Sequence, residues 1–279
     1  MPGANLPSTG RIPAKDEMAN ATSLSPSQHV YLLADERTII KSGPHTRAAE
    51  AAAMDFVRQH TSIPVPSVYS VDRDALTGHV RIAMEYIPGD PLDRAWAHFT
   101  AEEKLSVASQ LRAHFDALRQ IEASSSFIGS VDGSACADPY FAHAPGAYGP
   151  YGSEAEFNSG LLEAWEARHY HNDDDADDDD EDPFAPIFRD ALRRTMRGNR
   201  IVMTHNNFDP SHVLVRGAKV VAILDWEQAG FYPEYWEYCR ALWRPDWDSD
   251  WMKDKAVDSI LSPYLKELGV IWNTSSVSW

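Results

Sequence analysis

Cysteine is scarce in this chain: Cys136 and Cys239 are the only two. They show no paired-motif spacing, which argues against a disulfide scaffold and suits free thiols in a reducing compartment. Long apolar runs are also missing. No stretch reaches the roughly eighteen apolar residues that a membrane-spanning helix needs. The N-terminus carries no apolar core of a secretion signal, so a cytoplasmic protein is expected, and Asn20-Ala21-Thr22 and Asn273-Thr274-Ser275 read as chance glycosylation patterns. Basic residues are few, with 25 Lys and Arg against 42 Asp and Glu and a formal net charge of −17. That balance argues against nucleic acid or an anionic membrane as partner and leaves small molecules or nucleotides.

Much of the negative charge lies in one place: nine of the ten residues from Asp173 to Asp182 are acidic. A run of this kind repels itself and buries no apolar surface, so residues 172–183 are expected to form a disordered, solvated insert. No glycine-containing loop of alternating ligands accompanies it, which excludes the usual calcium loop. The remaining composition, 43% hydrophobic over 279 residues, allows one large domain or two lobes. Residues 1–27, rich in Pro, Ser, Ala and Asn, are expected to be a poorly ordered leader. His29–Leu33 and Thr38–Lys41 read as one hairpin, and Val68–Val71 and Val80–Met84 as another. Between them Arg47–His60 reads as a helix with Ala49, Ala52, Ala53, Phe56 and Val57 on one face and Glu50 in its first turns.

Beyond Pro88-Gly89 the pattern turns helical. Thr100 and Glu103 make a capping box, followed by Leu105, Ala108, Leu111, Phe115, Leu118 and Ile121 at helical spacing. Ser124–Gly152 reads as irregular. Helices are expected at Glu154–Arg168, Phe184–Arg197, Pro233 to about Trp243 and Met252 to about Leu268, with Trp236, Cys239 and Trp243 as core. No internal repeat is present. The densest chemistry lies in 201–237: a short apolar strand, a loop of His, Asn and Asp, a hairpin turning at Arg216-Gly217-Ala218, and Asp225-Trp226-Glu227 where the hairpin ends.

A small β-rich part with a Lys ending a strand, a helix with a Glu, a connector, and then a polar loop and an Asp-terminated hairpin resembles the protein-kinase-like fold. More closely, the chain is identified as a member of the aminoglycoside phosphotransferase-like family, in its fungal branch. The residues carrying this are Ile39-Ile40-Lys41, Glu50–Met54, Thr61–Pro66, Met84–Gly89, Ile223–Glu227 and Tyr232–Glu237. The resemblance implies an α+β, two-lobed fold, with a small β-rich N-terminal lobe at 28–87 and a larger, mainly helical C-terminal lobe at 88–279. It also implies ATP and Mg²⁺ as cofactors. Lys41 would hold the nucleotide phosphates, Glu50 would orient Lys41, the backbone of Glu85, Tyr86 and Ile87 would meet the adenine, and Asp225 would bind metal.

The family's catalytic loop reads His-Gly-Asp-x-His-Pro-x-Asn. Here it is His205-Asn206-Asn207-Phe208-Asp209-Pro210-Ser211-His212, in which His205 and Pro210 set the register. Asn207 therefore stands at the catalytic Asp and His212 at the metal-binding Asn. An amide accepts no proton at neutral pH, and a general base contributes about 10²- to 10⁴-fold. Imidazole suits transition metals better than Mg²⁺, and one carboxylate, Asp225, is left for metal. No glycine-rich phosphate loop is evident in 31–41. Three readings follow: a pseudokinase-like module without efficient ATP–Mg²⁺ chemistry; an active small-molecule phosphotransferase with Asp209 as substitute base; or an acid–base enzyme of another class, using His205, Asp209, His212 and Asp225 on an apolar metabolite. Asp209, His205 and His212 have a purely structural alternative, as Asx-type and histidine hydrogen bonds that hold the loop.

Overall fold

The computed structural model describes residues 15–25, 29–123, 126–141, 148–170, 184–243 and 246–275. In chain order its elements are α1 (Lys15–Ala19), β1 (Thr22–Ser25), β2 (Val30–Leu32), β3 (Thr38–Ser42), α2 (Ala48–His60), β4 (Val68–Arg73), β5 (Val80–Glu85), β6 (Asp90–Pro91), α3 (Leu92–Ala95) and α4 (Ala101–Leu118). There follow β7 (Gly129–Ser130), α5 (Glu154–Tyr170), α6 (Ala185–Thr195), β8 (Ile201–Thr204), β9 (Val213–Arg216), β10 (Lys219–Ile223), β11 (Gly230–Pro233) and α7 (Trp236–Ala241). The chain closes with α8 (Asp250–Lys253), α9 (Ala256–Ile260) and α10 (Leu265–Ser275). It divides into two compact units, the first of residues 1–117 and 209–227, the second of 118–208 and 228–279.

The first unit is built on an antiparallel sheet in the order β1-β2-β3-β5-β4. Alternation along β3 sends neighbouring side chains to opposite faces. Ile40 joins Leu33 and Ala83 in a buried cluster against which Met18 and Ala21 pack, while Lys41 points the other way. Residues 15–25 therefore depart from the expected leader: they form α1 and an edge strand, because Met18 and Ala21 have apolar surface to cover. Residues 1–14 and 26–28 lie outside the described residues. Both expected hairpins are present. Helix α2 packs on β4 and β5, but through Ala49, Glu50, Ala51, Ala53, Met54 and Val57. That face is rotated from the expected one, so Ala52 and Phe56 are only half-buried and Glu50 faces inward.

The division of the chain also differs from the expected boundary near residue 88. Strand β6 pairs with β9 (Asp90 opposite Val215, Pro91 opposite Leu214), and β9 pairs with β10 in a second small sheet. Gln110 of α4 donates to Ala218 O at 2.8 Å and accepts from Val220 N at 3.0 Å. These bonds tie residues 88–117 and the 209–227 hairpin to the first unit. The hairpin turns through a two-residue loop in which Gly217 takes φ +56°, a conformation costly for a residue with a Cβ.

The second unit has a three-stranded sheet, β7-β11-β8. Strands β7 and β11 were not expected from the sequence; Gly230 permits their pairing, since a Cβ there would sit 2.3 Å from Gly129 O. Around the sheet Tyr140, Phe157, Tyr232 and Trp236 form a buried aromatic core with ring centroids 5.0–6.2 Å apart. Trp236 and Cys239 are fully buried. The helix expected from Met252 to Leu268 is broken into α8, α9 and α10. Lys255 adopts φ +53°, and Leu261 is extended two residues before Pro263, which cannot continue a helix. The acidic insert, 172–183, lies outside the described residues. Among the described residues no helix is long and apolar enough to cross a membrane.

The capping box at the start of α4 is formed: Thr100 N donates to Glu103 Oε2 at 2.8 Å, and Glu103 N to Thr100 Oγ1 at 3.3 Å. Thr100→Ala is expected to lower the unfolding free energy by about 1 kcal/mol. Urea unfolding checks this, read as a shift in midpoint at unchanged slope.

Candidate functional site

The first unit places Glu50 and Asp225, two of the expected residues, together around one ammonium group, that of Lys41. Lys41 is 7% exposed. Its Nζ lies 2.9 Å from Glu50 Oε2, 2.7 Å from Asp225 Oδ1 and 3.0 Å from Glu227 Oε2. Burial alone would lower the pKa of Lys41, but the charges of Glu50, Asp225 and Glu227 outweigh it and raise the value. Burial pushes the Glu50 carboxyl up; Lys41 pulls it down, and Asp225 and Glu227 add to the rise. The exposed, weak ion pair that Lys41 and Glu50 could have formed is therefore not what the fold builds.

Asp225 is carried to this point by the hairpin. Ile223 N donates to Pro64 O and Leu224 N to His212 O, both at 2.8 Å, which fixes the strand end. Asp225 itself takes φ +63°, a region that non-glycine residues occupy at a cost of about 1 to 3 kcal/mol. The Lys41 contact holds it there. His212 Nε2 stands 3.5 Å from Asp225 Oδ2, so the two expected metal residues are neighbours. The expectation that Asp225 is the single carboxylate left for metal is corrected: Glu50, Asp225 and Glu227 each offer an oxygen within 4.8 Å of the others. The missed residue is Glu227. Its signal was the two-residue spacing from Asp225, which a short 3₁₀ turn at Trp226–Gln228 converts into proximity.

Beside this cluster lies a cavity of about 360 Å³ with mainly apolar walls, among them Leu24, Val30, Ile39, Met54, Met84, Leu214 and Leu224. Glu85, Tyr86 and Ile87 line it as expected. Glu85 N is taken by Ser67 O and Tyr86 N by Arg37 O, at 2.9 and 2.8 Å, which among the described residues leaves the Ile87 N–H as the unused donor of the three. The Glu85 carboxylate accepts from Ser67 N and Oγ.

The polar loop is divided between the units. His205, Asn206, Asn207 and Phe208 belong to the second, and Asp209 to His212 to the first. In the second unit, buried Glu237 accepts from His205 N at 2.7 Å and Asn206 N at 3.0 Å. Burial pushes Glu237 up to about 7 against the pull of those two N–H groups. Asn206 has φ +69°, and its Nδ2 donates to Asp138 Oδ2 at 2.9 Å and Gln228 O at 3.2 Å. Asp138 is itself buried and accepts from Trp236 Nε1 at 2.8 Å, with Arg240 Nε at 3.1 Å. Asp138 and Glu237 lie far from the loop in sequence and carried no local signal.

Two of the proposed acid–base residues are committed to structure. His205 is fully buried, and its Nδ1 accepts from Asn207 N at 3.2 Å, so it offers nothing to a dissolved substrate. Asp209 caps the short helix Pro210–His212, accepting from Ser211 N at 2.8 Å and Ser211 Oγ at 2.5 Å. Asn207 is half-buried and Phe208 is buried against Trp251.

An antiparallel sheet presenting a Lys, a helix presenting its Glu partner, and an Asp at the end of a following hairpin define a protein-kinase-like phosphotransferase fold. The chain belongs to the phosphotransferase enzyme family, whose sequence profile matches residues 27–265. Over 74 residues it is 35% identical to subtelomeric hrmA-associated cluster proteins of two Aspergillus fumigatus strains, a match covering 25% of this chain and 14% of theirs. Among solved structures it resembles the apo form of a thermostable mutant of aminoglycoside phosphotransferase APH(4)-Ia, with TM-score 0.59 and 16% identity over 94% of this chain and 89% of that one. The streptomycin–ATP ternary complex of APH(2")-IIa also has TM-score 0.59, at 14% identity over 95% and 88%.

Lys41→Met would leave three carboxylates around an apolar side chain. It is expected to cost about 3 to 5 kcal/mol of stability in urea unfolding, whereas an exposed pair would cost under about 1 kcal/mol. Glu237→Gln keeps the shape but turns an amide NH₂ toward an N–H donor. A loss of about 1 to 3 kcal/mol is expected, with faster hydrogen exchange at His205 and Asn206 as the local readout.

Proposed function

We propose that this protein is a nucleotide-binding member of the phosphotransferase family in which efficient ATP–Mg²⁺ phosphoryl transfer has been lost. The observation that carries the first half is the Lys41–Glu50–Asp225 cluster at the wall of an apolar cavity with one unused backbone donor, Ile87 N–H. Such a cluster suits phosphates, and such a cavity suits a flat base. The second half rests on Asn207, which stands at the family's catalytic Asp and cannot accept a proton. Asp209, the alternative base, is held as a helix cap, which weighs against the active-kinase reading. The burial of His205 weighs against a repurposed acid–base enzyme.

The residues present fit a divalent ion. Asp225 and Glu227 supply the oxygen donors that Mg²⁺ requires, and Glu50 lies within reach of both. When bound, the ion would neutralise phosphate charge. His212, 3.5 Å from Asp225, adds a nitrogen donor that favours Mn²⁺ or Zn²⁺ over Mg²⁺. A small-molecule acceptor, as in the neighbouring complexes that hold streptomycin with ATP or hygromycin B with ADP, is consistent with this reading.

A thermal-shift panel of ATP and ADP, each with Mg²⁺, Mn²⁺, Zn²⁺ or no metal, tests binding. At a hundredfold excess over Kd, ATP should stabilise by about 2.7 kcal/mol, more with Mn²⁺ than with Mg²⁺. Absence of any shift would refute nucleotide binding. Turnover is tested with Asn207→Asp, which should raise ATP consumption by about 10²- to 10⁴-fold. Rapid wild-type turnover that this change leaves unaltered would show that the loop was never impaired.

A further inference from the structure

A second cavity, of about 560 Å³, lies within the second unit between the start of α5 and the end of α6. It is lined by residues of 153–198 alone and shares none with the cavity beside Lys41. Its floor is apolar, made by buried Leu162, Leu192 and Met196. Its rim is basic. Arg189 and Arg193 line it one helical turn apart on α6, and Arg197 joins them from just past the helix end. In a chain of net charge −17, three arginines gathered at one hollow call for a reason.

The nearby carboxylates do not neutralise them. Glu154, also at the wall, gives both oxygens to Asn199, at 2.7 Å to Nδ2 and 3.2 Å to N. Arg189 has a long, partly exposed contact with Glu166 at 3.8 Å. Among the described residues Arg193 and Arg197 form no ion pair. Asn158 supplies an independent sign. It lines the cavity at 8% exposure and donates through Nδ2 to Met196 O at 2.8 Å. Among the described residues its Oδ1 is buried with no hydrogen-bond partner, a state that proteins rarely leave uncompensated.

We propose that this cavity is a binding site for a small amphipathic anion. The apolar body of the ligand would cover Leu162, Leu192 and Met196, its carboxylate would meet the guanidinium groups, and a hydroxyl would donate to Asn158 Oδ1 once that amide turned from its sealed position toward the cavity. Arginine suits this task because its planar fork holds carboxylates in two parallel bonds.

Isothermal titration of the full chain with phenyllactate tests the assignment. Hydrocinnamate, which lacks the hydroxyl, and phenylpropanediol, which lacks the charge, serve as controls. Saturable binding is expected in the order phenyllactate, hydrocinnamate, phenylpropanediol. The double variant Arg193→Glu with Arg197→Glu, both on the exposed rim, should keep the wild-type unfolding midpoint and bind phenyllactate about tenfold or more weakly. The proposal fails if the diol binds as tightly as phenyllactate, if the double variant binds unchanged, or if no probe saturates at millimolar concentration.

Discussion

One buried ammonium organises the first unit. Lys41 is shared among Glu50, Asp225 and Glu227, and each of those carboxylates comes from a different turn of the chain or a different element. Burying any one of these charges alone would be prohibitive; together they satisfy one another, and removing one partner would leave the rest uncompensated. The positive φ of Asp225, the inward rotation of α2 that brings Glu50 to the sheet, and the tie from Leu224 N to His212 O all serve this meeting point. Nucleotide binding, as proposed, would use the same charges. Lys41 would meet the phosphates, and Asp225 and Glu227 would hold the cation that neutralises their charge.

The polar loop shows a different kind of order. Its first half is pinned in the second unit by two buried carboxylates, Glu237 beneath the backbone of His205 and Asn206, and Asp138 beneath the Asn206 side chain. Asparagine at 206 tolerates the left-handed conformation better than most residues, and here its amide is also anchored. The backbone of the loop is thus fixed by groups outside it, independently of the side chain at 207.

Much of this was legible in the residues. Alternation marked both N-terminal hairpins, helical spacing and a capping box marked α4, and short apolar runs around Gly217 marked the hairpin that delivers Asp225. The resemblance to aminoglycoside phosphotransferases pointed to Lys41, Glu50, Asp225 and the connector residues Glu85, Tyr86 and Ile87, and the structure brings them to one cavity and its edge. What misled was local. Five alanines among the first six residues of α2 left its apolar face ill defined, so a purely periodic reading chose Ala52 and Phe56 over Glu50. The pairing of β6 with β9 joins residues over a hundred positions apart, and nothing within either short strand announces it.

The sequence by itself determined the elements and the chemical inventory, because periodicity, caps and turn residues act over a few positions. It also determined that residue 207 carries an amide where a proton acceptor is expected, a matter of composition that no fold can undo. Tertiary structure alone decided which carboxylates surround Lys41, that Asp209 is a helix cap and that His205 is sealed from solvent. It decided too that Glu237 and Asp138 hold the loop and that three arginines ring a hollow with an unsatisfied amide. Those outcomes depend on which distant surfaces exclude water from each other, and burial is a property of the packed chain rather than of any stretch within it.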